Sequence, residues 1–523
     1  MNIVTMTRVL TLAGLVGASS LSGCSDATEL REGRESPAAR TKMNFDPKIV
    51  PNAPKRTSYD PNRVFTNPLR IPDEAIPEKT APAQAPGTMG LATPATTATS
   101  SPPTSYRLSI HAMNVQMLPG PPTPMVGFAG RFPGPTLKAE RGIPTVVTQA
   151  NDWTENVTIH NHGHKVSAES DGHPVDYILP GKYKDYYYPN DQRAGTFWYH
   201  DHTMDLTGAH VYAGLAGFYI IHDKAEDVLN LPSGSYDVPL LLQDRTFAEN
   251  NELYYFGNPH GWGGPTPVIN GTVNPVLNVA ARKYRLRLLN GANARTLNLH
   301  FSIQGKPVPF QLISSDGGLL EAPVLMKAIT IHPGERYDVV MDFKNFPVNT
   351  VMDLLNDDDP GIEPLLPALM QFKVTHTEVD GATVPPRLSI IDRLQEKDAK
   401  AFGTVELGLS NDGETWTLNG TTYDPARIDI RSKRDTVTIW TLKNATEFTH
   451  PFHKHLVQFT ILDINGQAPP PELAGWKDTV GVPGNGSMRI IFKNERFSGT
   501  YVLHCHRLEH EDHRMMIQES VEP

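Results

Sequence analysis

Only two cysteines, Cys24 and Cys505, occur among 523 residues, too few for a disulfide framework. Basic residues are not in excess either. With 47 Lys and Arg against 57 Asp and Glu the net charge is −10 and the pI about 6.1, so no basic face is available for nucleic acid. The one apolar run at the head of the chain, Val9 to Val16, is too short to span a bilayer as a permanent helix. The 15 methionines are scattered rather than gathered into a methionine-rich insertion. What remains is ordinary for a soluble globular chain, 39% hydrophobic and 8% aromatic, and long enough for roughly three domains of about 100 to 200 residues.

The first 24 residues, with Arg8, the short apolar run and then small residues, have the layout of an export leader. Leu21-Ser22-Gly23-Cys24 resembles the bacterial lipobox, in which the cysteine is acylated and becomes the new N-terminus. The competing reading is an ordinary cleaved signal with an incidental cysteine. The lipobox reading implies an exported protein held at the cell envelope by lipid on Cys24. Ser25 implies the outer membrane if the cell has one. Cys505 is then a lone thiol in an oxidising compartment, where it must be buried or bound to a metal.

Residues 25–62 and the stretch Glu78 to Ser105 are rich in Pro, Ala and Thr and read as tether and linker. Between them, Val64 to Pro77 is more apolar and is expected to lie across the folded body. From Tyr106 onward, short runs such as "TVVTQAND", "DTVTIWTLKN" and "SMRIIFKN" are rich in β-branched and aromatic residues. Long helical periodicity is scarce, so the fold class is all-β, built of sandwiches or barrels.

An internal repeat carries the chemistry. Gly195-Thr196-Phe197-Trp198-Tyr199-His200-Asp201-His202 matches Gly499-Thr500-Tyr501-Val502-Leu503-His504-Cys505-His506, and each is preceded by another His-x-His, His160-Asn161-His162 and His453-Lys454-His455. On a strand, side chains at i and i+2 share a face while the residue between points the other way. Eight imidazoles can therefore converge on one metal cluster between the first and last domains. Cys505 faces away from that cluster toward a second site, yet is bonded directly to His504 and His506. His450 stands three residues before His453, His510 five after Cys505 and Met515 ten after it. Two histidines, a thiolate and a distant thioether form a blue-copper ligand set. Structural zinc is the alternative, but it favours closed sites with several thiolates and leaves the methionine and the other histidines without a role.

"HNHG", "WYHDH", "HPFHKH" and "HCHRLEHEDHRMM" resemble the copper signatures of multicopper oxidases. "SDGHP", "VYAGLAGFYIIHD", "YDVPLLLQDR", "RKYRLRLLNGANARTLNL", "SSDGGLL", "GERYDVVMDF" and "GWKDTV" resemble, in order, the subgroup of spore-coat laccases, bilirubin oxidases and phenoxazinone synthases. The resemblance runs from about Phe65 to the C-terminus. It implies three cupredoxin-like Greek-key sandwiches: residues 106–229, a copper-free domain at 230–385, where neither Cys nor His-x-His occurs, and 386–523. It further implies four copper ions. His450, Cys505, His510 and Met515 would bind type 1 copper, His160 and His453 type 2, and His162, His200, His202, His455, His504 and His506 the type 3 pair. The remaining ten histidines, among them His164, His173, His210 and His513, match no ligand position and are expected to be surface or hydrogen-bonding residues. Glu511 and Asp171 resemble the acidic proton-relay positions.

The activity implied is one-electron oxidation of phenolic, aromatic amine or related small-molecule donors, coupled to four-electron reduction of dioxygen to water. A monomer is expected. Bilirubin or manganese(II) oxidation and a copper-free cupredoxin scaffold are the alternatives, the last requiring lost ligands. Three departures stand out. Asn161 and Lys454 occupy positions between ligands where a large apolar residue is usual, and "NDDDPGIEPLLP", 356–367, is an unusual lid.

Overall fold

A computed structural model describes residues 64–78, 102–357, 362, 364–410, 413 and 415–523. The lipobox with Cys24, the tether to residue 62, most of the linker and part of the 356–367 lid lie outside the described residues. The described chain is nearly all strand, organised as three two-sheet sandwiches in sequence order.

In the first sandwich, the four-stranded sheet 123–128, 104–115, 145–151, 183–188 faces a second of 134–140, 216–222, 195–201, 159–162. Successive strands cross repeatedly between the two, the Greek-key path. Its first strand, Thr104–Val115, starts two residues inside the stretch read as linker. Thr104 and Ser105 pair in parallel with Thr145 and Val146, which gives their backbone groups partners that composition could not reveal. The middle sandwich has seven- and eight-stranded sheets, and the third has two five-stranded ones.

Burial follows the period of two that a half-buried strand requires. Ala401–Leu409 alternates between exposed or half-buried and buried positions around Val405 and Leu407. Residues 64–78 strap the first two sandwiches: Asn67–Pro68 runs parallel to Pro275 and Val276, and Glu74 bridges to Thr136.

The core of the third sandwich includes Trp416, Trp440, Phe452, Phe492 and Ile517, with Cys505 and Met515 among them. Lys454 enters this core from the residue between two histidines. Its ammonium pairs with Glu519 and lies 5.0 Å from the ring centres of Trp440 and of Phe492. Where a large apolar residue is usual, Lys454 thus forms one buried ion pair inside an aromatic box.

Candidate metal centre

Four strands build the site: β1 (Ile159–His162), β2 (Gly195–Asp201), β3 (His450–Lys454) and β4 (Gly499–Cys505). β1 and β2 are antiparallel with His160 opposite His200. β3 and β4 are antiparallel with His453 opposite His504 and Phe452 opposite Cys505. The register sets the histidines of both pairs on one face, where the two pairs meet. The rings of His160 and His455 stack at 3.7 Å, as do those of His162 and His453.

Candidate ligand atoms converge in partly overlapping groups, two of them being His162 with His200 and His506, and His202 with His455 and His504. Each takes one histidine from each of three His-x-His triplets. A further group joins His160, His453 and His455. All eight imidazoles are fully buried. Burial pushes His160, His162, His453, His455 and His506 well below the usual imidazole range, His200 down to about 3 and His202 to about 4, so these rings are neutral, as metal ligation requires.

The hydrogen bonds test whether a cation fits. His455 Nδ1 lies 2.7 Å from Asp171 Oδ2, and His504 Nδ1 3.0 Å from Glu511 Oε2. Glu511 Oε1 stands 3.4 Å from His202 Nδ1. With His455 Nδ1 bonded to Asp171, His504 Nδ1 to the Cys505 carbonyl at 3.1 Å, and Glu511 facing the Nδ1 atoms of His504 and His202, the three Nε2 atoms face inward, 3.3 Å apart from His504 to His202 and from His504 to His455. One N–H···N bond could satisfy only one of these two contacts, whereas a cation satisfies all three lone pairs. The Nε2 atoms of His160, His200 and His453 are likewise buried without a hydrogen-bond partner. Their Nδ1 atoms donate to the carbonyls of Asp171, Asp201 and Asp478 at 2.6, 2.8 and 2.9 Å.

Asp171 reaches His160 and His455 because Gly172 follows it at φ +79°, where a Cβ would stand 2.2 Å from the Ile159 carbonyl oxygen. Burial pushes the Asp171 carboxyl up to about 8. Burial also pushes Glu511 up, but the facing His504 and His202 outweigh it and hold this carboxyl below the usual range.

On the opposite face of β4, Cys505 Sγ lies 3.6 Å from His450 Nδ1 and 3.5 Å from His510 Nδ1. Thr446 donates its hydroxyl to Asn444 and accepts from His450 Nε2 at 2.9 Å, which leaves the His450 Nδ1 lone pair aimed at the sulfur. Trp416 stacks on His510 at 4.6 Å. His510 belongs to the short helix α1 (Leu508–Asp512), and its carbonyl accepts from the Met515 N–H. Met515 is fully buried, and its carbonyl accepts from the Cys505 N–H. Burial pushes the Cys505 thiol up to about 12 and His450 down to about 3, so ligation there displaces a thiol proton. The donor set of one sulfur and two neutral imidazoles suits copper.

Among the remaining histidines, His210 is buried between Asp201 at 3.0 Å and Glu155 at 3.2 Å. His173 and His513 are hydrogen-bonded. His164 departs from the expectation: it is buried among Tyr188, Phe197 and Tyr219 with neither ring nitrogen hydrogen-bonded. Sequence reasoning gave no role to Thr446, Trp416, Arg336 or Asp478. Two of them lay in quoted motifs, Arg336 in "GERYDVVMDF" and Asp478 in "GWKDTV".

Three family models described as multicopper oxidase match residues 109–226, 236–352 and 384–523. A laccase of Bacillus subtilis is 36% identical over 466 residues, spanning 76% of this chain and 90% of the laccase. A bilirubin oxidase of Albifimbria verrucaria is 36% identical over 410 residues, spanning 75% of this chain and 72% of that protein. The crystal structure of a Pediococcus acidilactici laccase superposes with a TM-score of 0.78 at 32% identity, covering 89% of this chain and 98% of the other. With its sandwiches, its buried histidine groups and these matches, the chain belongs to the multicopper oxidase family.

Proposed function

We propose that this chain is a laccase-like oxidase in which His450, Cys505, His510 and Met515 would hold type 1 copper. His160 and His453 would hold type 2 copper. His162, His200 and His506 would hold one type 3 ion, and His202, His455 and His504 the other. Bound copper would supply one-electron acceptance beside Cys505 and reduction of dioxygen at the histidine cluster. The observation that carries the reading is the pair of donor sets on opposite faces of β4, joined through the single bond step from Cys505 to His504.

The chain's own residues orient the ligands and exclude water. Asp171 and backbone carbonyls fix ring tautomers, with the Glu511 carboxylate facing His504, and full burial of the imidazoles keeps solvent out. The relay role of Asp171 and Glu511 is supported by position, since both are buried and touch cluster imidazoles. Kinship with a laccase favours phenolic and aromatic amine donors, and the bilirubin oxidase relative makes a tetrapyrrole donor the second reading.

Copper-loaded full chain should be blue and should take up oxygen with a phenolic donor. A colourless, inert protein overturns the reading. In the same assay Glu511→Gln should lower turnover about 10–100-fold with the blue band intact, and wild-type turnover removes Glu511 from the machinery. The lipobox supports anchoring at Cys24. Cys24→Ala should move the protein out of the membrane fraction or leave it unprocessed, and unchanged fractionation argues against a lipid.

A further inference from the structure

The middle sandwich supplies no residue to the buried histidine groups, yet one of its side chains reaches them. His162 is reversed relative to the imidazoles described above. His160, His200, His453, His455 and His504 turn Nδ1 outward to a carbonyl or carboxylate. His162 instead places Nε2 2.9 Å from Asp478 Oδ1 and 3.0 Å from Thr479 Oγ1, while its Nδ1 has no hydrogen-bond partner. The ligand nitrogen of an imidazole is chosen by what holds the other nitrogen, so the Asp478 carboxylate decides which atom His162 offers to the group it shares with His200 and His506.

That carboxylate is fully buried, and a buried charge persists only when it is answered. Arg336, on the middle-sandwich strand Arg336–Asp342, answers it with a two-pronged fork: Nη1 to Oδ1 at 2.6 Å and Nη2 to Oδ2 at 2.7 Å. The guanidinium is itself fixed by the carbonyls of Thr196 at 2.9 Å and Gly334 at 3.1 Å. Nearby Lys477 cannot replace it, being engaged with Asp316 at 3.1 Å and Glu335 at 2.8 Å. The approach is tight. Gly163, directly after His162, sits at φ +85°, and a Cβ there would stand 2.5 Å from Asp478 Oδ2 and 2.7 Å from Arg336 Nη2.

We propose that Arg336 and Asp478 are positioning residues through which the copper-free sandwich holds His162 with Nδ1 toward its group. The proposal rests on the copper-binding reading above. The first, middle and third sandwiches each contribute one member, His162, Arg336 and Asp478, so cluster assembly depends on all three being docked.

The test uses the full chain as wild type, Arg336→Met, Asp478→Asn and Arg336→Lys. Copper-free protein is titrated with copper against a competing chelator, and the blue band and the near-ultraviolet band of the coupled pair are recorded. Arg336→Met and Asp478→Asn should bind cluster copper about 10–100-fold more weakly and lose the near-ultraviolet band while keeping the blue one, which also reports that the third sandwich is folded. Arg336→Lys retains the charge without the fork and should recover part of the loss. Wild-type affinity and both bands in Arg336→Met and Asp478→Asn overturn the proposal. So does parallel loss of both bands, because the pair then serves folding alone. A wild-type chain that takes up no copper overturns the functional reading, and this proposal with it.

Discussion

Cys505→Ser is expected to remove both the blue colour and donor oxidation, while the copper-free chain still folds. The thiol is fully buried with two neutral imidazole nitrogens 3.5 and 3.6 Å from its sulfur, and no other cysteine lies among the described residues. A serine hydroxyl is a hard, weak ligand for copper, and the thiolate charge transfer behind the colour has no oxygen counterpart. The fold tolerates the change because oxygen replaces sulfur with little loss of volume and the hydroxyl can donate to one of the imidazoles. The cost is about 1 kcal/mol, a shift of about 2–4 °C in the unfolding temperature of a domain of this size. His504 stays on β4 and His506 directly after it, so cluster copper should be retained. Met515→Leu separates the roles further, since losing the axial thioether should keep the colour and raise the type 1 potential. Absorption spectra, redox titration and thermal unfolding of the copper-free form read these outcomes. A blue, active Cys505→Ser protein would falsify the assignment of the type 1 site.

Lys454→Met is expected to destabilise the copper-free chain by about 3–5 kcal/mol, because it leaves Glu519 charged inside the third sandwich. Both partners are essentially unexposed at 1% and 0%, so solvent screening does not discount the effect. Glu519 keeps only the Asn494 amide, at 3.0 Å, as a remaining donor. Adding Glu519→Gln should recover most of the loss, since removing both charges of a buried pair is far less costly than removing one. Denaturation of the two variants checks this. A single variant as stable as wild type, or a double variant no better than the single, would show that the ion pair is not what holds this core.

The strand pattern was legible because it is local. β-Branched runs with a period of two give sheets, and the same period sends His504 and His506 to one face and Cys505 to the other, as the pairing of Phe452 with Cys505 and His453 with His504 shows. The Gly-Thr-aromatic repeat exposed the relation between the first and last sandwiches for the same reason. The start of the first strand at Thr104 was not legible. A segment rich in Pro, Ala and Thr gives no sign of a partner strand 41 positions away in sequence, Thr145 to Thr104.

Sequence by itself determined that the chain is all-β, that eight histidines come in four i, i+2 pairs, and that one thiol stands back to back with two of them. Each follows from residue type and backbone periodicity, which need no neighbour. Tertiary structure alone decided which histidine nitrogens converge in one group and which ring nitrogen each presents. His455 lies two residues from His453 in sequence, yet one of its groups lies with His202 and His504. His162 owes its orientation to Asp478, 316 positions later, and Asp478 its charge balance to Arg336, 142 positions earlier. A neutral imidazole has two nitrogens of nearly equal basicity, so the choice between them falls to whatever holds the other one. That partner arrives only when the three sandwiches dock.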